Sequence, residues 1–337
     1  MIAYGYSFGK RSIGNLTLRG IGVRIDELFR TRPREALMKV VRYSTTDSGE
    51  NIGILQGDKV FNFTAAYQTF RMVECGECEC PIHSTLELLE KGLFAAETFR
   101  SGLDFARKHG LTEQYTVSEY KLLAPVERPS KIMALGRNYM AHALESGYHV
   151  PTEPVFFSKA NSSVIGPDEP VVYKKFLTRV DPEGELAVII GKKGANIPEE
   201  EAQSYVAGYT IMNDVTARDM QIQDLKLSSP WMRSKGIDTF GPMGPCVVLP
   251  DEIHEPIELD LETRVNGEVR QKDNTSSLMF KIPKLISYIS SFHTLFPGDV
   301  ISTGTPEGMK PVQVGDIMEV EIEGIGVLRN PVVAESP

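Results

Sequence analysis

Glu183-Gly184-Glu185, run directly into the apolar residues Leu186, Ala187, Val188, Ile189 and Ile190, restricts this chain more than any other stretch. Side chains at i and i+2 of a strand point to one face, so Glu183 and Glu185 present two carboxylates together just before the strand enters a core. Two adjacent carboxylates repel unless a cation sits between them. A second apolar run, residues 205–212, stops just short of Asp214, which supplies a third carboxylate if that strand lies beside the first. Three hard oxygen ligands with no His or Cys nearby suit Mg²⁺, Mn²⁺ or Ca²⁺ better than zinc. Spacing alone leaves a second reading open, in which Glu183 and Glu185 form a solvated strand face and Asp214 a turn residue.

Further ordered pieces flank this strand. They are Asn213-Asp214-Val215-Thr216-Ala217-Arg218-Asp219-Met220-Gln221, Lys235 ahead of Asp238-Thr239-Phe240-Gly241-Pro242, Val265-Asn266-Gly267-Glu268, Pro297-Gly298-Asp299-Val300-Ile301, and Thr303-Gly304-Thr305-Pro306-Glu307-Gly308. Each is a weak signal by itself, but their order over roughly two hundred residues is a strong one. The set resembles the catalytic domain of the fumarylacetoacetate hydrolase family. That resemblance implies a mixed, β-rich α+β fold, with a β-sandwich roll of the family's C-terminal type behind a small N-terminal α+β domain.

Composition narrows the partners. A net charge of −9 and a pI near 5.3 leave no broad basic surface for nucleic acid or anionic membranes, so small molecules are the expected ligands. No run of about 18 apolar residues reads as a transmembrane helix, and a cytoplasmic location is expected. Four cysteines are too few for a disulfide framework. Cys75, Cys78, Cys80 and His83 have a spacing able to hold zinc, but they are crowded together and interleaved with Glu74, Glu77 and Glu79, so a solvated loop with free thiols is expected. Cys246 reads as a buried small hydrophobe.

Taken in order, residues 1–25 hold Lys10, Arg11, Arg19 and Arg24 and no acid, and residues 1–37 are expected to be an extension outside the fold. Residues 38–124 read as the small N-terminal domain. It opens as a β-meander over residues 39–63, followed by helices over 84–93, with Ser84 and Glu87 as a capping box, and 95–109, closed by Gly110. Residues 125–337 read as the catalytic domain, with a late helix over 280–292. Residues 132–139 form a strand running into a turn, followed by a short helical stretch, 140–147, in which His142 and Glu145 are neighbours at i and i+3. That pair is either a carboxylate-oriented base able to take a proton from water or an ordinary surface His beside a Glu. Lys159, between apolar residues and a Gly-Pro turn, is open to a plain surface role.

The resemblance assigns roles. It makes Glu183, Glu185 and Asp214 ligands of Mg²⁺ or Mn²⁺, with Ca²⁺ an alternative. It makes His142, Glu145, Lys235 and Lys159 catalytic, and gives Arg137, Tyr139, Arg218, Gln221, Gly304 and Thr305 to the substrate. Gly136-Arg137-Asn138-Tyr139 with His142 and Glu145 matches the family's small members, and Asn138 stands where long-chain relatives have a fourth carboxylate. The implied activity is divalent-metal-dependent hydrolysis of a C–C bond in acylpyruvates or related 2,4-dioxo acids through an enolate. A 2-hydroxymuconate-type isomerase and an oxaloacetate decarboxylase are alternatives on the same residues, and a non-catalytic relative binding metal and organic acid is a third. The resemblance also implies a homodimer.

Overall fold

The computed structural model describes residues 37–77, 80–145, 150–253 and 255–336, without the side chain of Glu145. Cys78, in the cysteine-rich stretch, therefore lies outside the described residues. The structure is mixed and rich in sheet, as the family resemblance implies. The expected meander is present as three strands, Lys39–Thr45, Gly49–Gln56 and Lys59–Asn62. Asn62 then caps a helix that sequence patterning did not reveal, Phe63–Glu74, by accepting from the Ala65 N–H at 3.0 Å. Ser84 caps Thr85–Glu90 as expected, and Ala96–Lys108 follows.

One large sheet takes strands from both the first part of the chain and the part that carries the acidic motif. Lys39–Thr45 pairs antiparallel with Gly241–Val248, which pairs with Val206–Asn213, then Gly184–Ile190, Val300–Ser302, Ile132–Gly136 and Val155–Lys159. Gly184–Ile190 lies in the middle and is buried along its entire length, which is why its sequence is apolar without alternation. A second sheet of five strands contains Asp260–Val265, Glu268–Asn274 and Ile317–Ile322.

The two sheets meet at Gly184. A Cβ there would lie 2.3 Å from Thr263 Oγ1 and 2.7 Å from Val320 Cγ1, so the residue between the two glutamates has no room for a side chain. Close sheet packing thus forces the middle residue of the acidic motif to be glycine. The late helix is Ile282–Ser290, shorter than the expected 280–292, and Thr275–Ser277 forms a separate short turn of 3₁₀ helix. Among the described residues no helix is long and apolar enough to cross a membrane.

Candidate active site

Strand pairing brings the carboxylates together. Gly184 is opposite Asn213, and the ladder continues one residue further, the Asp214 N–H donating to Glu183 O at 2.8 Å. The Glu183 N–H donates to the Asn213 side chain at 2.9 Å. Oxygens of Glu183, Glu185 and Asp214 consequently lie within 4.8 Å of one another, all three residues being buried. Glu185 Oε2 accepts from Ser302 Oγ at 2.6 Å and from the Gly304 N–H at 2.9 Å, while its Oε1 is buried with no partner among the described residues. Burial and the neighbouring Asp214 push the Glu185 carboxyl well above the usual carboxylate range. An orphaned buried oxygen beside two further carboxylates fits a hard divalent cation, since such a group otherwise carries its full desolvation penalty.

Around the carboxylates runs an alternating chain of charges. Arg179 grips Asp181 with Nε and Nη2 at 2.9 and 3.0 Å, and Asp181 accepts from Arg218 Nε at 2.8 Å. Arg218 Nη2 meets Glu183, whose other oxygen accepts from Lys235 Nζ at 2.6 Å. Lys235 also donates to Asp214 at 2.5 Å, and Asp214 accepts from Lys159 at 2.7 Å. Burial pulls the Lys235 ammonium down, but Asp214 and Glu183 outweigh it and hold its pKa above that of an ordinary lysine. For Glu183 burial works upward, and Lys235 and Arg218 overcome it and hold the carboxyl well below its usual range.

Above this floor opens a cavity of about 280 Å³, lined by Arg137, His142, Glu183, Arg218, Gln221, Lys235 and Thr305, together with Phe157, Arg179, Trp231 and Met309. His142 is 7 % exposed, and among the described residues its Nδ1 has no partner. Burial, only partly offset by Glu183, lowers its pKa to about 4, so its imidazole is neutral near neutral pH. Arg137 adopts φ of 60°, a strained conformation for a residue with a side chain, and its guanidinium lies 5.8 Å from the centre of the Trp231 ring. Asn138 anchors this turn. Its side chain donates to Thr303 O and Phe280 O and accepts from the Phe280 N–H.

The structure brings most of the expected residues together, but not all in the same way. Lys159 is fully buried beneath Asp214, bonded also to Val215 O and Lys235 O, and does not line the cavity. Tyr139 is likewise buried away from the cavity wall, its hydroxyl without a partner among the described residues. Thr305 lines the cavity, with its hydroxyl hydrogen donated to Gly184 O at 3.0 Å and its oxygen accepting from Gln271 at 2.8 Å. Gly304 contributes its N–H to Glu185 rather than a place on the cavity wall. Sequence reasoning missed Arg179, Asp181 and Ser302, and reached Trp231 only as the end of the poorly patterned segment 223–231 expected to meet the distal part of the substrate; an acid two residues before Glu183 was the available signal for Asp181. Among the described residues the triad Glu183, Glu185 and Asp214 is the one His/Cys/Asp/Glu group close enough to hold a metal, and Cys75 and Cys80 are exposed free thiols.

Residues 131–333 match the family described as fumarylacetoacetate (FAA) hydrolase, C-terminal. The chain belongs to the fumarylacetoacetate hydrolase family. It is therefore a member of a family of enzymes. An uncharacterized protein of Pyrococcus abyssi is 52% identical over 208 residues, covering 62% of this chain and 92% of that protein. The mitochondrial oxaloacetate tautomerase fahd2 of Xenopus laevis is 44% identical over 254 residues, covering 73% of this chain and 77% of its own. Among solved structures, maleylpyruvate hydrolase from Sphingobium sp. SYK-6, in complex with manganese(II) ion and pyruvate, is 31% identical with a TM-score of 0.69, covering 89% of this chain and all of that one. A fumarylacetoacetate hydrolase relative thus holds manganese, and this chain carries a buried acidic triad able to hold such an ion.

Proposed function

We propose that this protein moves a proton at the carbon beside the carbonyl of a small 2-oxo acid, interconverting keto and enol forms, with Mg²⁺ or Mn²⁺ held by Glu183, Glu185 and Asp214. The observation that carries this reading is His142, a neutral imidazole on the cavity wall beside a floor dominated by fixed charges. A proton shuttle needs one group that can both take and return a proton, and a neutral imidazole is such a group. When bound, the cation supplies Lewis acidity to the 2-oxo oxygen. Lys235, itself buried, adds a fixed positive charge where negative charge develops on that oxygen. Arg218, held by Asp181, Glu183 and Gln221, keeps Glu183 ionised and in place. Identity of 44% over 254 residues to an oxaloacetate tautomerase supports the same reading.

Hydrolysis of an acylpyruvate or fumarylpyruvate-type substrate is the second reading. It is favoured by the position of His142 and Glu145 one helical turn apart on Met140–Glu145, where a base can be aimed at water. The test is a Mn²⁺- or Mg²⁺-dependent assay following the enol absorbance of oxaloacetate, acetylpyruvate and fumarylpyruvate in parallel, with products weighed by mass spectrometry. Enol loss with the oxaloacetate mass unchanged supports the tautomerase. Pyruvate plus a second acid establishes the hydrolase instead, and pyruvate plus CO₂ from oxaloacetate a decarboxylase. His142→Asn is expected to lower kcat by about 10²–10⁴-fold. The acid limb of the wild-type profile should fall near pH 4 rather than 6.5, because the base stays unprotonated until the burial-lowered pKa is reached. An unaltered kcat in that variant would remove His142 from the chemistry.

A further inference from the structure

The alternating charge chain has a buried end and an open end. Lys159, at one end, is enclosed, whereas the Arg179 side chain at the other is 39% exposed and lines the cavity. The cations on this wall differ in what they have left to offer. Arg218 has Nε on Asp181, Nη1 on Gln221, and Nη2 on Glu183 and Met309 Sδ. Lys235 Nζ is shared between Glu183 and Asp214. Arg137 lies against the Trp231 ring. Arg179 keeps Nε and Nη2 on Asp181, and among the described residues its Nη1 has no partner.

The guanidinium is also held rigidly. Asp181 is fully buried and grips Arg179 through two bonds, and the strand Val180–Asp181 pairs with Thr216–Ala217, so that Arg179 O accepts from the Arg218 N–H at 3.0 Å. A planar fork fixed on one edge by a carboxylate, with its other edge turned to a cavity, is preorganised for a second carboxylate. Charge agrees. Lys159, Arg179, Arg218 and Lys235 balance Asp181, Glu183, Glu185 and Asp214, so the charge of a divalent cation and that of Arg137 on the cavity wall are left for the ligand to neutralise, and a dianion does this better than a monoanion.

We propose that Arg179, positioned by Asp181, is the specificity residue that reads a second carboxylate at the end of the substrate remote from Glu183, Glu185 and Asp214. This rests on the reading of the cavity as a 2-oxo acid site and deepens it to the choice between dicarboxylic and monocarboxylic substrates. Neither Arg137 nor Arg218, the arginines that motif matching points to, fills this role.

The experiment compares two five-carbon ligands that differ only at the far end, 2-oxoglutarate and 2-oxopentanoate. Binding to the Mn²⁺-loaded full chain is followed by calorimetry and by the emission of Trp231, the single tryptophan of the sequence. In wild type 2-oxoglutarate should bind at least tenfold more tightly than 2-oxopentanoate, the scale of one charge-assisted pair. Arg179→Gln should remove that preference and leave 2-oxopentanoate binding within about twofold. Arg179→Lys, which keeps the charge and loses the fork, should restore part of it. Equal loss for both ligands in Arg179→Gln, or an undiminished preference, overturns the assignment while the 2-oxo acid reading stands. Failure of wild type to bind either ligand overturns that reading and the assignment with it.

Discussion

Glu185 concentrates the electrostatic tension of the site in one carboxyl. Glu183 and Asp214 share Lys235 and also meet Arg218 and Lys159 respectively, whereas Glu185 has Ser302 and the Gly304 N–H on one oxygen and, among the described residues, nothing on the other. Without a cation it therefore holds its proton above the ordinary carboxylate range, and a cation binds the ionised form. Metal affinity should accordingly rise with pH until the medium passes the raised pKa of Glu185. Calorimetry of Mn²⁺ binding, repeated in buffers of different ionisation enthalpy, should show that protons are released as the ion binds. Glu185→Gln should abolish the release and weaken binding; release that persists in the variant would place the proton elsewhere. The ligands themselves were legible in the sequence because strand period and a single register step suffice to converge Glu183, Glu185 and Asp214. Their counter-charges were not. Whether Lys159 faces a cavity or lies beneath Asp214, and which arginine grips Asp181, depends on pairings between residues far apart in sequence.

At the scale of elements, the helix Arg218–Lys226 shows why patterning fails at this site. Its buried side chains are Gln221 and Asp224, so it carries no apolar stripe and reads as an irregular segment. What it buries is polar because it packs against the charge chain and the cavity. The short helix Met232–Lys235 and the preceding Trp231 were equally opaque, although they place Lys235 on the cavity floor. Trp231 in turn fixes the strand Ile132–Gly136 at its last residue. A Cβ on Gly136 would approach Trp231 Cζ3 to 2.8 Å, inside any real contact. The ring also sits edge-on to Phe157, centroids 5.2 Å apart, and so closes one side of the cavity. Gly136→Ala should therefore push the indole out of place, seen as a shift of the emission maximum and a rise in KM with the metal affinity kept. Emission identical to wild type would mean that the ring and the strand do not constrain each other.

The whole molecule is built so that one strand, Gly184–Ile190, lies at the middle of the large sheet and against the second sheet, with its acidic end in the cavity. Sequence reading recognised that strand and the β-rich character around it. The pairing of Lys39–Thr45 with Gly241–Val248, which extends the same sheet through the first part of the chain, left no trace in local patterning because register between distant strands is set by mutual packing. An ion at the acidic end joins carboxylates carried by two neighbouring central strands, so its binding energy adds to the stability of the fold as a whole. A cation at a hundred times its Kd stabilises the folded state by about 2.7 kcal/mol, which for a chain of this size corresponds to a rise in Tm of roughly 5 °C or somewhat more. Scanning calorimetry with and without Mn²⁺ should show that rise in the wild type and in Cys75→Ser, whose thiol is exposed and is not part of the clustered ligands. Glu183→Gln should lose most of it, since the variant removes a ligand and leaves Lys235 and Arg218 facing a neutral amide. An undiminished rise in Glu183→Gln would put the ion somewhere other than between these strands, and its loss in Cys75→Ser would move the search to the cysteine-rich stretch.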